Sequence, residues 1–193
     1  VSKFGENNIF NYKQFFSGDI KISIEYIPKF VNELMRYVYT ISGVTKKCIV
    51  LDLDNTLWGG VIGEDGFDNI KLGDNPIGRS FVEFQKRLLA LNKRGIILAI
   101  NSKNNFDDAI EVIQKHPNMI LKEENFACVK INWDDKVVNL QKIAEELNIG
   151  LDSMVFFDDD QINQEYVKES LPRVLVVDLP KDSSQYPQII TEM

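Results

Sequence analysis

A chain of 193 residues, 44% hydrophobic and 26% charged, has the length of one ordinary domain and the composition of a folded protein, which excludes disorder as its main state. Its 22 Lys and Arg against 29 Asp and Glu leave a formal charge of −7 with no basic block, which disfavours nucleic acid as a partner, and no apolar run reaches membrane-spanning length. Two cysteines, Cys48 and Cys128, are too few for a disulfide scaffold and point to a reducing, cytoplasmic setting. No signal peptide is read in the polar start, and a chain beginning without Met is expected to be one domain of something longer.

Residues 1–45 read as an N-terminal extension packed on the main domain. Phe4, Phe10, Tyr12, Phe15 and Phe16 follow no clear period. Residues 29–42 predict one helix with Phe30, Leu34, Tyr37, Val38 and Ile41 on a face, stopped by Ser42-Gly43. From residue 46 to 193 short apolar runs alternate with amphipathic stretches. Strands are expected at 48–53, 96–100, 154–157 and 174–177, with a further short one at 126–131. Helical stripes are Phe81, Phe84, Leu88 and Leu91 before Gly95; Ala109, Ile110 and Ile113 before Pro117; and Val137, Leu140, Ile143, Ala144 and Leu147 before Gly150. Strand alternating with helix implies a doubly wound, Rossmann-like parallel α/β sheet. One stretch breaks the alternation: residues 59–78 hold six of the eleven glycines and follow the first strand at the edge where such sheets bind ligands.

The chemistry-bearing residues fall at strand ends. Asp52-Leu-Asp54-Asn-Thr56 closes the first strand, and two carboxylates so spaced can divide nucleophilic or metal-binding work from proton transfer. Asn101-Ser102 closes the next main strand, Lys136 opens the third helix, and Asp158-Asp159-Asp160 closes the following strand. From Asp52 to Ser102, Lys136 and Asp158 the successive separations are 50, 34 and 22 residues. A parallel sheet sets these ends side by side: carboxylates for Mg²⁺, a hydroxyl and an ammonium for phosphate oxygens, and an aspartate as nucleophile. Together they describe a phosphoryl-transfer site.

This constellation resembles the haloacid dehalogenase (HAD) superfamily over roughly residues 46–178. The resemblance implies Asp52 as nucleophile, Asp54 as general acid and base, and Ser102 with Lys136 on the phosphoryl group. It implies Mg²⁺ on Asp52, the main-chain oxygen of Asp54 and Asp158, with Asp159 or Asp160 reaching it through water. A HAD-like core with a small flap and no large cap follows, since the insertion after the first motif is only about twenty residues. A narrower similarity is to the FkbH-like branch. It rests on Leu51 to Gly66 (LDLDNTLWGGVIGEDG), Asn101-Ser-Lys-Asn104, His116-Pro-Asn-Met119, Ile131-Asn-Trp133 with Lys136, and Glu146-Leu-Asn148. Where that branch tends to have Asn-Pro after the paired aspartates, this chain has Asp160-Gln161. The branch implies capture of a three-carbon acyl unit from bisphosphoglycerate, with dephosphorylation, and its loading onto the phosphopantetheine thiol of an acyl carrier protein in a polyketide synthase.

Several residues carry two readings. Thr56, Gly59, Gly60, Lys103 and Asn104 are expected around the substrate, and Trp58 either walls that pocket or is core. Cys48, about 13 Å along the strand from Asp52, reads as core. Cys128 is either an acyl relay or an inert strand thiol. His116, the single histidine, reads as a helix terminus. The rival functions are a plain phosphatase of a small phosphoester, which uses the same four residues, and a catalytically retired docking module, which would show a missing motif residue.

Overall fold

The computed structural model describes residues 9–19, 21–41 and 46–192, and the chain divides into two units at Thr45/Lys46. Phe4 and the stop expected at Ser42-Gly43 lie outside the described residues. In the first unit, α1 (Tyr12–Gly18) opens where the Asn11 side chain accepts the Gln14 N–H, and closes at Asp19 in the left-handed region (φ 57°). A bridge between Phe10 and Ile22 follows the same turn. Helix α2 (Ile27–Ile41) starts two residues earlier than the apolar stripe predicts.

The second unit is built on a parallel sheet of β1 (Cys48–Leu51), β2 (Ile97–Ser102), β3 (Phe126–Ile131), β4 (Met154–Asp158) and β5 (Leu175–Asp178), in the order β3-β2-β1-β4-β5. Every residue of β1 and β4 is buried, which is why both read as unbroken apolar runs: in a parallel sheet flanked by helices, neither face of a central strand meets water. The flanking helices are α3 (Ile62–Asp65), α4 (Pro76–Lys93), α5 (Phe106–Lys115), α6 (Lys136–Glu146), α7 (Gln161–Ser170) and α8 (Tyr186–Glu192). Strand alternation sorts the core into two layers. Ile49, Leu51, Leu98, Ile100, Val155 and Phe157 share one layer with Phe84 and Leu88 of α4, Val112 and Ile113 of α5, and Tyr186 of α8. Cys48, Val50, Ala99, Cys128 and Phe156 share the other with Leu140 and Ile143 of α6 and Val167 of α7.

The strand order sets the functional edge. The chain runs outward from β1 through β2 to β3, then returns to lay β4 on the other side of β1. The gap between β1 and β4 at their carboxyl ends is the topological switch point, where open α/β sheets bind ligands. Asp52 and Asp158 stand on either side of it.

β1 is shorter than the expected 48–53. After Leu51 the Asp52 N–H still reaches the Phe157 carbonyl (2.9 Å), but Leu53 already accepts from the N–H groups of Thr56 (3.1 Å) and Leu57 (2.8 Å). Asn55 occupies the left-handed region (φ 52°) to complete that turn. The Gly-rich stretch forms the small flap. Gly59 and Lys71 exchange both backbone hydrogen bonds (3.0 and 2.7 Å), α3 sits between them, and Ile62, Ile70 and Leu72 anchor the flap in the core. Gly60 is required here: at φ +100° a Cβ would lie 2.5 Å from the Asp65 carboxylate, which caps the Val61 N–H. α4 starts where Asn75 accepts the Gly78 N–H, with Pro76 in its first turn. Among the described residues no helix is long and apolar enough to cross a membrane.

Candidate active site

Each of the four residue groups expected to carry the chemistry arrives at the switch-point edge on its own element. Asp52 follows β1. Ser102 ends β2 and is buried. Lys136 is the first residue of α6, whose N-terminus is capped by Asp135 accepting from Val137 and Val138. Asp158 ends β4. Asp52, Lys136 and Asp158 meet in one buried cluster, while the Ser102 hydroxyl accepts from Asn104 (3.1 Å). The Lys136 ammonium, 2% exposed, lies 2.5 Å from Asp52 and 2.9 Å from Asp158 and also donates to the Asn101 carbonyl (2.8 Å). Burial works against that charge, but the two carboxylates outweigh it and hold the ammonium above its usual pKa. Asn101 closes the arrangement by donating its amide to the Lys136 carbonyl (2.9 Å).

The carboxylates crowd one another. One oxygen each from Asp52, Asp158 and Asp159 lies within 4.8 Å of the others. Burial, then the neighbouring Asp52 charge, pushes Asp158 above the ordinary carboxylate range against the pull of Lys136. Burial, followed by the charges of Asp52 and Asp158, pushes Asp159 up to about 7. Three hard oxygen donors so close together, with a single ammonium between two of them, form a donor set suited to a divalent cation of Mg²⁺ type. The second carboxylate is secured by the fold: Asp158 accepts from the Asp160 N–H (2.9 Å), and Gln164, buried on α7, donates to its main-chain carbonyl (2.6 Å).

Asp54 is gripped from three sides. Its Oδ1 accepts from Trp58 Nε1 (2.9 Å) and the Ile62 N–H (3.1 Å), and its Oδ2 accepts from Asn104 Nδ2 (3.0 Å). These contacts bear on two sequence readings, Trp58 as pocket wall or core and Asn104 at the substrate. Trp58 is fully buried and does not wall an open pocket; its ring is core and its N–H orients Asp54. Asn104 is buried too, and its amide is shared between Asp54 and Ser102 Oγ (3.1 Å), so it positions both groups instead of reaching outward. Asp54 does not belong to the carboxylate cluster through its side chain. Thr56 is buried within the turn with Oγ1 unpartnered among the described residues. Lys103 is exposed, and Gly59 and Gly60 line a cleft beside Asp159.

Cys128, read as either a relay or an inert strand thiol, is placed within the strand. It lies in β3 in register with Ala99, three residues before the strand end, and its thiol donates to Glu146 (3.1 Å). Burial, and then that Glu146 bond, pushes it up to about 11, so it stays a thiol at neutral pH, away from the edge where Ser102 stands. Cys48, pushed up to about 12 by burial, is core as expected. His116 closes α5, its backbone N–H donating to Val112, with its ring against Phe67.

Residues missed at the sequence level support the site from behind. Asn55 accepts the Gly60 N–H (2.8 Å) and fixes the hinge of the flap, and Tyr186 of α8 donates to the Asn55 carbonyl (3.1 Å). Gln85 of α4 donates to Leu57 and accepts from Ile120 and Leu121. Asn55 had a local signal, lying inside the aspartate motif. Tyr186 had none, being 131 residues away.

No protein-family model and no curated protein matches the chain. Among solved structures, the N-terminal part of the protein BF1531 from Bacteroides fragilis, described as containing a phosphatase domain complexed with Mg, is 40% identical with a TM-score of 0.90. The match covers 99% of this chain and 51% of that one, so this chain spans about half its length. The HAD domain of the effector Lem4 from Legionella pneumophila is 14% identical with a TM-score of 0.54, over 77% of this chain and 92% of that one. A HAD family enzyme from Bacteroides thetaiotaomicron is 15% identical with a TM-score of 0.52, over 75% and 98%. Together with the strand order and the switch-point carboxylates, these likenesses establish that the chain has the α/β fold of HAD proteins.

Proposed function

We propose that this chain is a Mg²⁺-dependent enzyme of the HAD phosphatase type, acting through a covalent aspartyl phosphate on Asp52. The observation that carries this reading is the buried cluster in which Asp52, Asp158 and Asp159 converge within 4.8 Å around the Lys136 ammonium. Asp52, Asp158 and Asp159, with the main-chain oxygen of Asp54, would hold the cation. Bound there, Mg²⁺ supplies positive charge to the phosphoryl oxygens and relieves the mutual repulsion of the carboxylates. An Asp52 oxygen attacks phosphorus, and the bond from phosphorus to the leaving oxygen breaks. Asp54, oriented by Trp58, Ile62 and Asn104, gives its proton to that oxygen and then takes one from the water that hydrolyses the acyl phosphate. Ser102 and Lys136 steady the phosphoryl group, each already set at the correct edge by β2 and α6.

The finer reading is that the phosphate removed belongs to a three-carbon acyl unit drawn from bisphosphoglycerate and loaded onto an acyl carrier protein within a larger synthase. The FkbH-like segments support it, since Asn101–Asn104 spans the end of β2 and Asn132-Trp133 follows β3. The chemistry limits the route. Attack by Asp52 on the acyl phosphate would release a free acid and lose its activation. The carrier thiolate therefore attacks the carbonyl carbon and expels that phosphate, while Asp52 takes the phosphate ester. The sulfur comes from the carrier, because Cys128 and Cys48 are buried thiols held far above neutrality.

The test is intact-protein mass spectrometry of a phosphopantetheinylated carrier incubated with this protein, Mg²⁺ and bisphosphoglycerate. A mass gain of a glyceryl thioester is expected, and Asp52→Asn is expected to leave the phosphorylated thioester. Fully dephosphorylated product from that variant overturns the role of Asp52. Phosphate release with no carrier gain reduces the function to a phosphatase of a small phosphoester.

A further inference from the structure

Beside the carboxylate cluster lies a cleft of about 830 Å³ that the chemistry above does not use. Asn55, Gly59 and Gly60 form its inner wall, Asp159 connects it to the cation site, and Lys71 and Lys181 are its basic residues. Lys71 is held there by the flap: its backbone is bonded in both directions to Gly59, which fixes where its side chain departs. Gly59 is close-packed, since a Cβ at that position would lie 3.0 Å from the Phe81 ring. Lys181 comes from the loop after β5, whose following turn is tied to α4 by the Ser80–Ser183 hydroxyl pair (2.8 Å). The two cations therefore reach one cleft from two anchored segments.

Their chemistry is uncommitted. Neither ammonium has a hydrogen bond or ion pair among the described residues. The cleft's carboxylates are already engaged. Asp160 caps α7 by accepting the Ile162 N–H (2.8 Å), and Asp182 accepts the Ser184 N–H (3.0 Å). Asp159 belongs to the cation cluster. Two unpaired ammonium groups in a concave site beside a phosphoryl-transfer centre are placed to meet an anion that does not react.

We propose that this cleft seats the non-reacting end of the substrate and that Lys71 and Lys181 bind a second anionic group on it, so that the preferred substrates are small phosphoesters carrying a further carboxylate or phosphate. This inference rests on the phosphatase reading above. It adds specificity-determining residues that lie outside the four motifs, and it explains why the flap is short: its role here is to carry Lys71 to the cleft, while the catalytic groups come from the sheet.

The test compares three substrates in the presence of Mg²⁺: 3-phosphoglycerate, whose second anionic group is a carboxylate; glycerol 1,3-bisphosphate, whose second is a phosphate; and glycerol 3-phosphate, which has neither. The wild type is expected to favour one or both of the first two. In the Lys71→Gln/Lys181→Gln double variant the preference in kcat/KM over glycerol 3-phosphate falls at least tenfold, with the loss in KM, whereas Lys71→Arg/Lys181→Arg retains most of it. Which of the two anionic substrates loses its advantage identifies the group bound. A wild type without preference, or a double variant that loses all three substrates in equal proportion, overturns the inference. Failure of the phosphatase reading looks different: the wild type turns over none of the three. Calorimetric binding of 3-phosphoglycerate and glycerol 1,3-bisphosphate then decides the cleft alone, and equal affinities in wild type and the Gln variant reject it.

Discussion

Two clusters on the same sheet pair a lysine with a carboxylate and a third polar group, and they differ in almost everything that matters. At the carboxyl edge, Lys136 sits between Asp52 and Asp158 with side chains 2%, 10% and 1% exposed. Along β3, Lys130 pairs with Glu146, which also accepts from Cys128, and the Glu146 side chain is 53% exposed. The first cluster is desolvated, so each charge depends on the others and reacts strongly to a phosphate or a cation. The second is screened by water and stabilises little. Pairing is common to both clusters; burial at a switch point is what sets one of them apart.

The comparison breaks most visibly at the two lysines. Lys136→Met strands two buried carboxylates, and the metal-free protein is expected to lose about 3–5 kcal/mol of unfolding free energy in urea titrations, along with phosphatase turnover. Lys130→Met is expected to leave the urea midpoint close to wild type. Equal losses would mean that burial does not separate the clusters. The grip on Asp54 gives a smaller effect. Trp58→Phe keeps the buried ring but removes one of the three donors that orient Asp54, so kcat is expected to fall roughly tenfold to a hundredfold with the fold retained by circular dichroism. An unchanged kcat would assign Trp58 to packing alone.

A pH dependence follows from Asp159. Its pKa rises from an ordinary carboxylate value to about 7 in the folded protein, so between about 4 and 7 the folded state holds a proton that the unfolded state has released. This group's contribution to stability is full at low pH and is lost as pH climbs through about 7. A cation on the cluster needs the ionised form, so the rise in Tm caused by Mg²⁺ is expected to be larger at pH 8 than at pH 6. An equal rise at both would remove Asp159 from the cation site. The smallest effect belongs to the second cluster: Cys128→Ala is expected to cost about 1 kcal/mol and to leave carrier loading intact, and lost loading would restore the thiol as a relay.

Much of this was legible in the residues. Asp52, Ser102 and Asp158 each sit where an apolar run stops, and Lys136 where a helical stripe starts. In a parallel sheet those positions share one edge, so their convergence there followed from pattern alone. The helix starts were less visible: α4 begins at Pro76 and α5 at Phe106, ahead of their first buried apolar residues, because caps and solvent-facing first turns carry no stripe. Trp58, left open between pocket wall and core, and Asn104, expected at the substrate, show where the pattern stops being informative. Both belong to motifs around the site, yet the turn at Asn55 carries Trp58 under Asp54, and the loop after β2 folds Asn104 back onto the same carboxylate. Local spacing says which residues are near a site. It does not say which way their side chains turn.

The order of residues was therefore sufficient for the α/β class, the placement of Asp52, Ser102, Lys136 and Asp158 at one edge and the buried nature of Cys48, because hydrophobic period and motif spacing are local properties of the chain. The three donors on Asp54, the distance of Cys128 from the active edge, the support of Asn55 by Tyr186, and the meeting of Lys71 with Lys181 in one cleft depended on the folded arrangement. Each of these depends on segments dozens of residues apart or on the direction of a side chain, and packing around the sheet settles both.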